Sequence, residues 1–366
     1  MLIAFRADSS IQIGTGHVMR CLTLAEELSR QGHECVFICR EHGGHLGELI
    51  RSKGFVLHLL PASATEELIS TNISRSTYAE WLGVPWQQDA RQALEILRKY
   101  SVDWLVVDHY ALDAEWERRI SKAVGKIMVI DDLADRAHFC DLLLDQNLGR
   151  KEADYQDLVP SLCNLMIDPR YALLRPEFAR LRAYSLKRRE QPKLGKLLIT
   201  MGGVDKDNAT GMVLEALKGC PLPDDCRIDV VMGANAPWLA KVQEIAVQMP
   251  WPTEIFVNVA DMAQRMADAD LAIGAAGGTS WERCCLGLPA ILVLLADNQI
   301  PGARALEAVG AAVTISDPIS VRRALSPALT KVIMPETLKR MSHAASAAID
   351  GKGASSIVAA MIAITG

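Results

Sequence analysis

The stretch LIAFRADSSIQIGTGH, residues 2–17, decides the fold class of this chain. It begins with four apolar residues that are typical of a buried strand, and it ends in a glycine-rich loop. An amphipathic helix is predicted to follow over 17–30, with Gly32 as its stop signal. The next apolar run, CVFIC at 35–39, predicts a second strand. Strand, glycine loop, helix and strand in this order indicate a parallel α/β unit.

The same alternation continues along the chain and predicts two units of similar size. In the first half, further strands are predicted at 56–60, 104–108, 126–130 and 142–144, and helices at 86–99 and 113–120, the latter capped by Asp113. In the second half, strands are predicted at 196–201, 228–232, 254–257, 271–274 and 290–294, with helices at 208–218, 237–248, 261–267, 279–286 and 301–309. The two halves therefore share an architecture.

The rhythm breaks at 148–194, a polar and proline-containing stretch that we interpret as the linker. The predicted division is an N-terminal Rossmann-like domain over 1–160, a C-terminal Rossmann-like domain over 161–340 and a helical tail over 341–366. Residues 61–85 show no strand pattern and are predicted to be an insertion. The fold class expected is α/β, with two doubly wound domains that face each other across a cleft and bind ligands at the carboxyl ends of their strands.

The composition excludes several function classes. Half of the 366 residues are hydrophobic, and 39 basic against 44 acidic residues give a net charge of −5. A chain that mainly binds nucleic acid or an anionic membrane is expected to be more basic, so neither partner is predicted. No uninterrupted apolar run reaches about 18 residues, so no membrane span is expected. The nine cysteines include no CxxC pair, which is typical of reduced thiols in a cytoplasmic protein.

The first glycine loop, Gly14-Thr15-Gly16-His17, is predicted to join a strand to a helix. Glycines there let backbone N–H groups approach an anion, and the positive end of the helix disfavours a charged imidazole. A neutral His17 can accept a proton, and Asp8, at the end of the first strand, is a candidate to orient it. The alternatives are a tight turn with a surface histidine and a loop-capping role for Asp8.

Two further glycine-rich loops are predicted in the second half, each between a strand and a helix. Their glycines and hydroxyls are suited to a diphosphate, and a carboxylate one turn into the following helix is suited to ribose hydroxyls. The candidates are Gly202, Gly203, Gly277, Gly278, Thr279, Ser280 and Glu282. The alternatives are close helix–strand packing and a solvated helix charge. No Walker A or GxGxxG motif occurs, which disfavours ATP hydrolysis and NAD chemistry.

Other polar groups at strand ends leave more than one interpretation open. Asn298 and Gln299 offer donors and acceptors for sugar or phosphate oxygens, or they form a simple turn. The acidic strand ends at 108–110 and 131–132 can hold a metal, divide acid and base roles, or cap helices. The HGGH stretch at 42–45 has no third ligand nearby, and no metal site is predicted.

An ordered set of motifs carries a resemblance to a known family. The set is Arg6-Ala-Asp8, Gly14-Thr-Gly-His17-Val-Met-Arg20-Cys21, Asp108-His-Tyr110, Asp131-Asp-Leu-Ala-Asp135, Asp145-Gln-Asn147, Met201-Gly-Gly203 and Gly274-Ala-Ala-Gly-Gly-Thr-Ser280. Together these motifs resemble the UDP-2,4-diacetamido-2,4,6-trideoxy-β-L-altropyranose hydrolases of pseudaminic acid biosynthesis. The resemblance runs from residue 1 to about residue 310 and departs at 61–85 and after 320.

That family is similar to the GT-B glycosyltransferases, in particular the N-acetylglucosaminyl transferase of peptidoglycan synthesis. The resemblance implies that the C-terminal domain holds UDP and that the N-terminal domain presents His17, as the catalytic base, to water. The substrate-binding residues that follow from the motifs and loops are Asp8, Gly14, Gly16, Arg20, Tyr110, Gly202, Gly203, Gly277, Gly278, Thr279, Ser280, Glu282, Asn298 and Gln299.

The resemblance also implies a reaction. Water attacks the anomeric carbon of a UDP-linked diacetamido-trideoxy-L-altrose, with inversion, and releases UDP and free sugar for pseudaminic acid and flagellin glycosylation. No cofactor or metal is expected, and the protein is expected to be a monomer. The alternatives are a UDP-sugar glycosyltransferase on the same fold, a hydrolysing UDP-sugar 2-epimerase and a non-catalytic nucleotide-sugar sensor.

Overall fold

The structure, a computed structural model, describes residues 1–62 and 78–365. It divides into two compact units. Unit 1 contains Met1–Leu173 together with the chain from Gly353 onwards, and unit 2 contains Leu174–Lys352. Most of the insertion predicted at 61–85 lies outside the described residues.

Unit 1 is built on a parallel sheet of seven strands in the order β3-β2-β1-β4-β5-β6-β7. The strands are β1 (Leu2–Ala7), β2 (Glu34–Arg40), β3 (Val56–Leu60), β4 (Val102–Asp108), β5 (Val124–Ile130), β6 (Leu142–Asp145) and β7 (Asn164–Ile167). The α-helices are α1 (Gly16–Arg30), α2 (Gly47–Ser52), α3 (Trp86–Leu97), α4 (Ala114–Ile120) and, after unit 2, α13 (Gly353–Thr365). Every strand predicted in this half is confirmed.

Unit 2 is built on a second parallel sheet, of six strands in the order β10-β9-β8-β11-β12-β13. The strands are β8 (Lys196–Thr200), β9 (Arg227–Met232), β10 (Thr253–Val257), β11 (Leu271–Ala275), β12 (Ala290–Val293) and β13 (Ala312–Ile315). The helices are α5 (Pro176–Arg188), α6 (Ala209–Leu217), α7 (Leu239–Val247), α8 (Met262–Asp268), α9 (Thr279–Cys285), α10 (Ile300–Ala308), α11 (Val321–Val332) and α12 (Pro335–Ala348).

Both sheets are covered by helices on both faces, which explains their nearly continuous apolar strands. In β1, Phe5 packs with α1 on one face, and Ala4 packs with α3 and α4 on the other. In β8, Ile199 lies in the main core of unit 2, with residues of α6 and α11. The prediction of two doubly wound α/β domains is confirmed by this layering.

The observed division differs from the predicted one. Unit 1 extends to Leu173 instead of residue 160, because β7 pairs with β6 and completes the first sheet. The residues at 341–366 do not form a separate tail. Met341 of α12 is buried in the core of unit 2, whereas α13 buries Ile357 and Met361 in the core of unit 1.

One region of the described chain, Pro335–Thr365, is long and apolar enough to cross a membrane by length and composition. Two helices, α12 and α13, occupy it, and a non-helical segment at 349–352 separates them. Each helix contributes residues to the core of its own unit, which accounts for its apolar composition.

Candidate functional site

The first cluster of polar residues lies where the carboxyl ends of β1 and β4 meet. These two strands are neighbours in the sheet, and Ala7 at the end of β1 pairs with Asp108 at the end of β4. Gly14 has a backbone φ of 83°, which a residue with a side chain rarely adopts, and it lets the loop after β1 turn into α1. The loop therefore delivers His17, in the first turn of α1, to the end of β4.

His17 and Asp108 form a buried pair. The Nδ1 atom of His17 lies 2.6 Å from Oδ1 of Asp108, and the exposed fractions of the two residues are 7% and 0%. Because an ionised carboxylate can only accept a hydrogen bond, the neutral imidazole carries its proton on Nδ1, and Nε2 is left as the proton acceptor. Within the described part of the chain, Nε2 makes no hydrogen bond. The pair has the arrangement of a general base and its orienting carboxylate.

Arg20 stabilises the charge on Asp108. Its Nε and Nη2 atoms donate to Asp108 at 2.5 and 2.7 Å, and Nη1 donates to Asp132 at 2.7 Å. Burial by itself raises the pKa of Asp108, but Arg20 and His17 hold that pKa well below its usual range. All three guanidinium nitrogens are thus used within the protein. Substrate binding by Arg20 stays a prediction, and the contacts that the structure gives it are those that hold Asp108 and Asp132.

Aromatic side chains form a wall beside the imidazole of His17. The ring of Tyr110 meets it edge-on with centroids 4.7 Å apart, and Trp81 stacks on Tyr110 at 5.6 Å. The hydroxyl of Tyr110 donates to Asp132 at 2.8 Å, and the residue is 6% exposed. Tyr110 is predicted to hold the sugar; in the structure its hydroxyl donates to Asp132 and its ring packs against the imidazole of His17.

Asp8 does not orient His17, contrary to the sequence-based expectation. Its carboxylate accepts two bonds from Arg6, at 2.6 and 2.9 Å, and one from the backbone N–H of Arg40 at 2.6 Å. Burial raises the pKa of Asp8, but Arg6 and His109 bring it well below its usual range. The residue is completely buried, so the loop-capping alternative describes it better than a substrate contact.

Two more acidic residues, Asp131 directly after β5 and Asp145 at the end of β6, are bound to a neighbouring side chain. Tyr155 donates to Asp131 at 2.9 Å and to Asp145 at 2.8 Å. Burial and the charge of Asp132 raise the pKa of Asp145 to about 6. In the described ranges, no group of three or more histidine, cysteine, aspartate or glutamate side chains is placed to hold a metal ion.

In unit 2, the predicted loop at Gly202-Gly203 follows β8 and is exposed. Gly202 has a φ of 90°. The backbone of Gly203 lies so close to Gly233 that a Cβ on Gly233 would overlap the carbonyl oxygen of Gly203. Asp205 accepts from the backbone N–H groups of Ala209 and Thr210, at 2.8 and 3.0 Å. Asp205 therefore caps the first turn of α6.

The loop after β11 presents bare backbone to solvent. Gly277 and Gly278 have open space where a Cβ would stand, as do Gly14 and Gly16 in unit 1. These glycines remain predicted ligand contacts. Ser280 is only 3% exposed and accepts a hydrogen bond from Arg283, so it supports the loop from inside instead of facing a ligand.

Three further predicted contacts of unit 2 differ in how free their side chains are. Oε1 of Glu282 lies 3.7 Å from Nη2 of Arg175; burial raises the pKa of Glu282, and Arg175 opposes that shift. Asn298 is exposed at the surface. Oε1 of Gln299 accepts from the backbone N–H of Leu295 at 3.0 Å, which supports the turn interpretation for Gln299.

The sequence analysis did not assign Asp108, Asp132 or Trp81 to the site. The strand-end position of Asp108 was noted, but the chain order does not reveal that β4 lies next to β1. Trp81 precedes α3 in a stretch without a strand or helix pattern, so no periodicity pointed to it. The useful signal was the run of polar residues directly after a buried strand.

Comparisons with known proteins agree with the resemblance inferred from the motifs. Residues 216–358 match the model of the glycosyltransferase family 28 C-terminal domain. The chain is 27% identical to the UDP-2,4-diacetamido-2,4,6-trideoxy-beta-L-altropyranose hydrolase of Campylobacter jejuni over 271 residues, which cover 74% of this chain and 83% of that protein. That resemblance is confirmed.

Solved structures show the fold. MurG of Acinetobacter baumannii is 16% identical, with a TM-score of 0.69 and 99% of both chains covered. The S. aureus MnaA-UDP co-structure is 13% identical, with a TM-score of 0.59 and coverage of 98% of this chain and 94% of that one. The two-domain GT-B fold predicted from the sequence is thereby confirmed.

Proposed function

We propose that this protein hydrolyses a UDP-linked amino sugar. The similarity to the Campylobacter hydrolase and the GT-B fold support an enzyme that processes a nucleotide sugar. The finer proposal, hydrolysis of a UDP-diacetamido-trideoxy-L-altrose in pseudaminic acid biosynthesis, follows the name of that relative.

The observation that carries the proposal is the pair formed by His17 and Asp108. A water molecule hydrogen-bonded to Nε2 of His17 would lose its proton to that atom as its oxygen forms a bond to the anomeric carbon. Asp108 fixes the ring and stabilises the imidazolium that results. The carboxyl group of Asp108 stays ionised because the guanidinium of Arg20 stabilises its negative charge. The bond from the anomeric carbon to the diphosphate oxygen breaks, and its electron pair leaves with UDP.

In the proposal, unit 2 holds the leaving group. The backbone N–H groups beside Gly202, Gly277 and Gly278 are suited to the diphosphate, where negative charge increases as the bond breaks. Because UDP is a good leaving group, a strong general acid is not required. Attack from the face opposite UDP would invert the anomeric centre.

The test is incubation with UDP-2,4-diacetamido-2,4,6-trideoxy-β-L-altrose in ¹⁸O-labelled water, without any acceptor. Hydrolysis predicts equal amounts of UDP and free sugar, with the label in the sugar. Label in UDP would mean attack on phosphorus. No release until an acceptor is added would identify a glycosyltransferase, and deuterium at C2 in heavy water would identify an epimerase.

A variant of His17 links the reaction to the proposed base. His17→Ala should lower turnover by about 10²–10⁴-fold, because a general base contributes that much, and should leave UDP affinity nearly unchanged. His343→Ala is the matched control, since His343 is exposed on α12 of unit 2. Turnover of His17→Ala close to that of the control would remove His17 from the mechanism.

A further inference from the structure

Arg283 is a buried cation in unit 2 whose guanidinium is only partly bound. It lies on α9, is 1% exposed, and uses Nη2 to donate to the carbonyl of Ala275 at 2.6 Å and to Oγ of Ser280 at 3.0 Å. Its Nε and Nη1 atoms are buried and, in the part of the chain that the structure describes, have no hydrogen-bond partner. No carboxylate of a described residue lies within ion-pair distance of it.

Such a charge is unfavourable for folding. The space beside Arg283 is lined mainly by apolar side chains, among them Leu288, Leu292 and Leu306. Burial lowers the pKa of Arg283 to about 10, so the side chain is still positive at neutral pH. A buried charge without a counterion destabilises the protein, whereas an apolar residue of similar volume would not. The burial of this charge therefore opposes the stability of unit 2.

The position of the guanidinium suggests why an arginine occupies this site. Its two hydrogen bonds reach both ends of the glycine loop, Ala275 at the end of β11 and Ser280 at the start of α9. A Cβ on Gly274 would lie 2.5 Å from Nη1, so the guanidinium lies directly against the backbone that enters the loop. The bare backbone of Gly277 and Gly278 forms the middle of the same loop.

We propose that Arg283 is a positioning residue for the diphosphate of UDP, which it does not touch. It fixes the loop 275–280 from inside, and its positive charge, which forms no ion pair with a described carboxylate, raises the potential where the diphosphate binds. The negative charge of a bound diphosphate then offsets part of this positive charge. This inference rests on the proposed function, since it needs a ligand with a diphosphate at that loop.

The experiment measures binding of UDP and of uridine by calorimetry to four proteins: wild type, Arg283→Met, Arg283→Lys and the exposed control Arg323→Met on α11. Arg283→Met should weaken UDP binding at least about tenfold and leave uridine binding nearly unchanged, because the charge acts on the diphosphate. Arg283→Lys should recover much of the loss. Without ligand, Arg283→Met should melt no lower than wild type, and UDP should stabilise it less.

The outcomes are separable. If wild type does not bind UDP, the proposed function fails. If wild type binds UDP and Arg283→Met binds it equally well, the inference alone is overturned. Equal losses for UDP and uridine, or an Arg283→Met variant that does not fold, would show that the arginine maintains the fold and would also overturn it. Arg283→Gln, which keeps a donor for Ala275 without the charge, should bind UDP as weakly as Arg283→Met, and UDP binding at the wild-type level in this variant would also overturn the inference.

Discussion

Among the described residues, hydrogen bonds hold the imidazole of His17 through only one of its two nitrogens, and Asp108 therefore decides which nitrogen can accept a proton. Arg20 binds both Asp108 and Asp132, and the hydroxyl of Tyr110 also donates to Asp132 while its ring contacts the imidazole. These contacts use side chains that the sequence analysis had assigned to the substrate. In unit 1, His17 and the open backbone of its loop therefore remain the predicted substrate contacts whose polar groups are least engaged within the protein.

Replacing Asp108 by asparagine tests the orientation of the ring. An asparagine amide can donate to Nδ1 and so favour the tautomer with its proton on Nε2, which cannot accept another. We expect Asp108→Asn to lower kcat by about 10²–10⁴-fold with little change in KM. Asp113→Asn is the control, because Asp113 caps α4 and asparagine caps helices equally well. Wild-type kcat in Asp108→Asn would contradict the proposed pair.

Asp145 predicts a dependence of stability on pH. Its pKa is raised to about 6, from 3.8, so the folded state binds this proton more tightly than the unfolded state. The stabilisation is complete below the unfolded pKa and is lost as the pH rises through the folded pKa. Over pH 4.5–7 the loss from this one group is about 2 kcal/mol.

The measurement is urea unfolding of wild type and Asp145→Asn at pH 4.5 and pH 7. The change in unfolding free energy between these pH values should differ between the two proteins by about 2 kcal/mol, since asparagine does not titrate. The other acidic groups are present in both proteins, so their contributions to the pH dependence cancel in the comparison. An identical change in both would mean that Asp145 has an ordinary pKa.

At the scale of elements, the strands that the sequence predicted well are those buried on both faces, such as β1, β4 and β8. Their apolar runs are long and flanked by glycine or charge. The strands β7 and β13 were missed because they are four residues long and only partly buried. The helix α5 was missed because its many basic residues conceal its apolar face.

The pairing of His17 with Asp108 could not be predicted either, because it depends on the order of strands. Residues 91 positions apart meet only because β4, and not β3, lies next to β1 on the side opposite β2. Each loop was visible in the sequence as a polar or glycine-rich strand end. Which loops converge, and which carboxylate faces the imidazole, is decided by the sheet.

Close packing of two strand-end loops in unit 2 gives another prediction. Gly233→Ala would place a Cβ against the carbonyl of Gly203 and force the Gly202-Gly203 loop to move. We expect a loss of about 1–3 kcal/mol in stability, as for other overpacked sites, and a higher KM for the UDP-sugar. Gly219→Ala is the matched control, with only an ordinary contact at 3.8 Å. An unchanged KM in Gly233→Ala would show that the Gly202-Gly203 loop does not contribute to UDP binding.

At the scale of the whole molecule, unit 1 is completed by a helix that comes last in the chain. Ile357 on α13 is fully buried in its core, and the indole N–H of Trp104 on β4 donates to Thr365 at 2.8 Å. The chain therefore leaves unit 1 after Leu173 and returns to it at Gly353.

Truncating one side chain of α13 tests this arrangement. Ile357→Ala should destabilise unit 1 by about 2–5 kcal/mol, because it leaves a cavity in a packed core. Ile362→Ala on the same helix is the control, since Ile362 is 43% exposed. Urea unfolding followed by tryptophan fluorescence measures both. Equal midpoints for the two variants would show that α13 contributes little to the core of unit 1.

The return of the chain to unit 1 also has a consequence for its biosynthesis. The first 173 residues leave the ribosome before the rest, yet the helix that covers Trp104 is translated only after all of unit 2. Synthesis of unit 1 thus begins before that of unit 2 and is completed only after it. During that interval the nascent chain exposes an apolar surface, which is the kind of surface that chaperones bind.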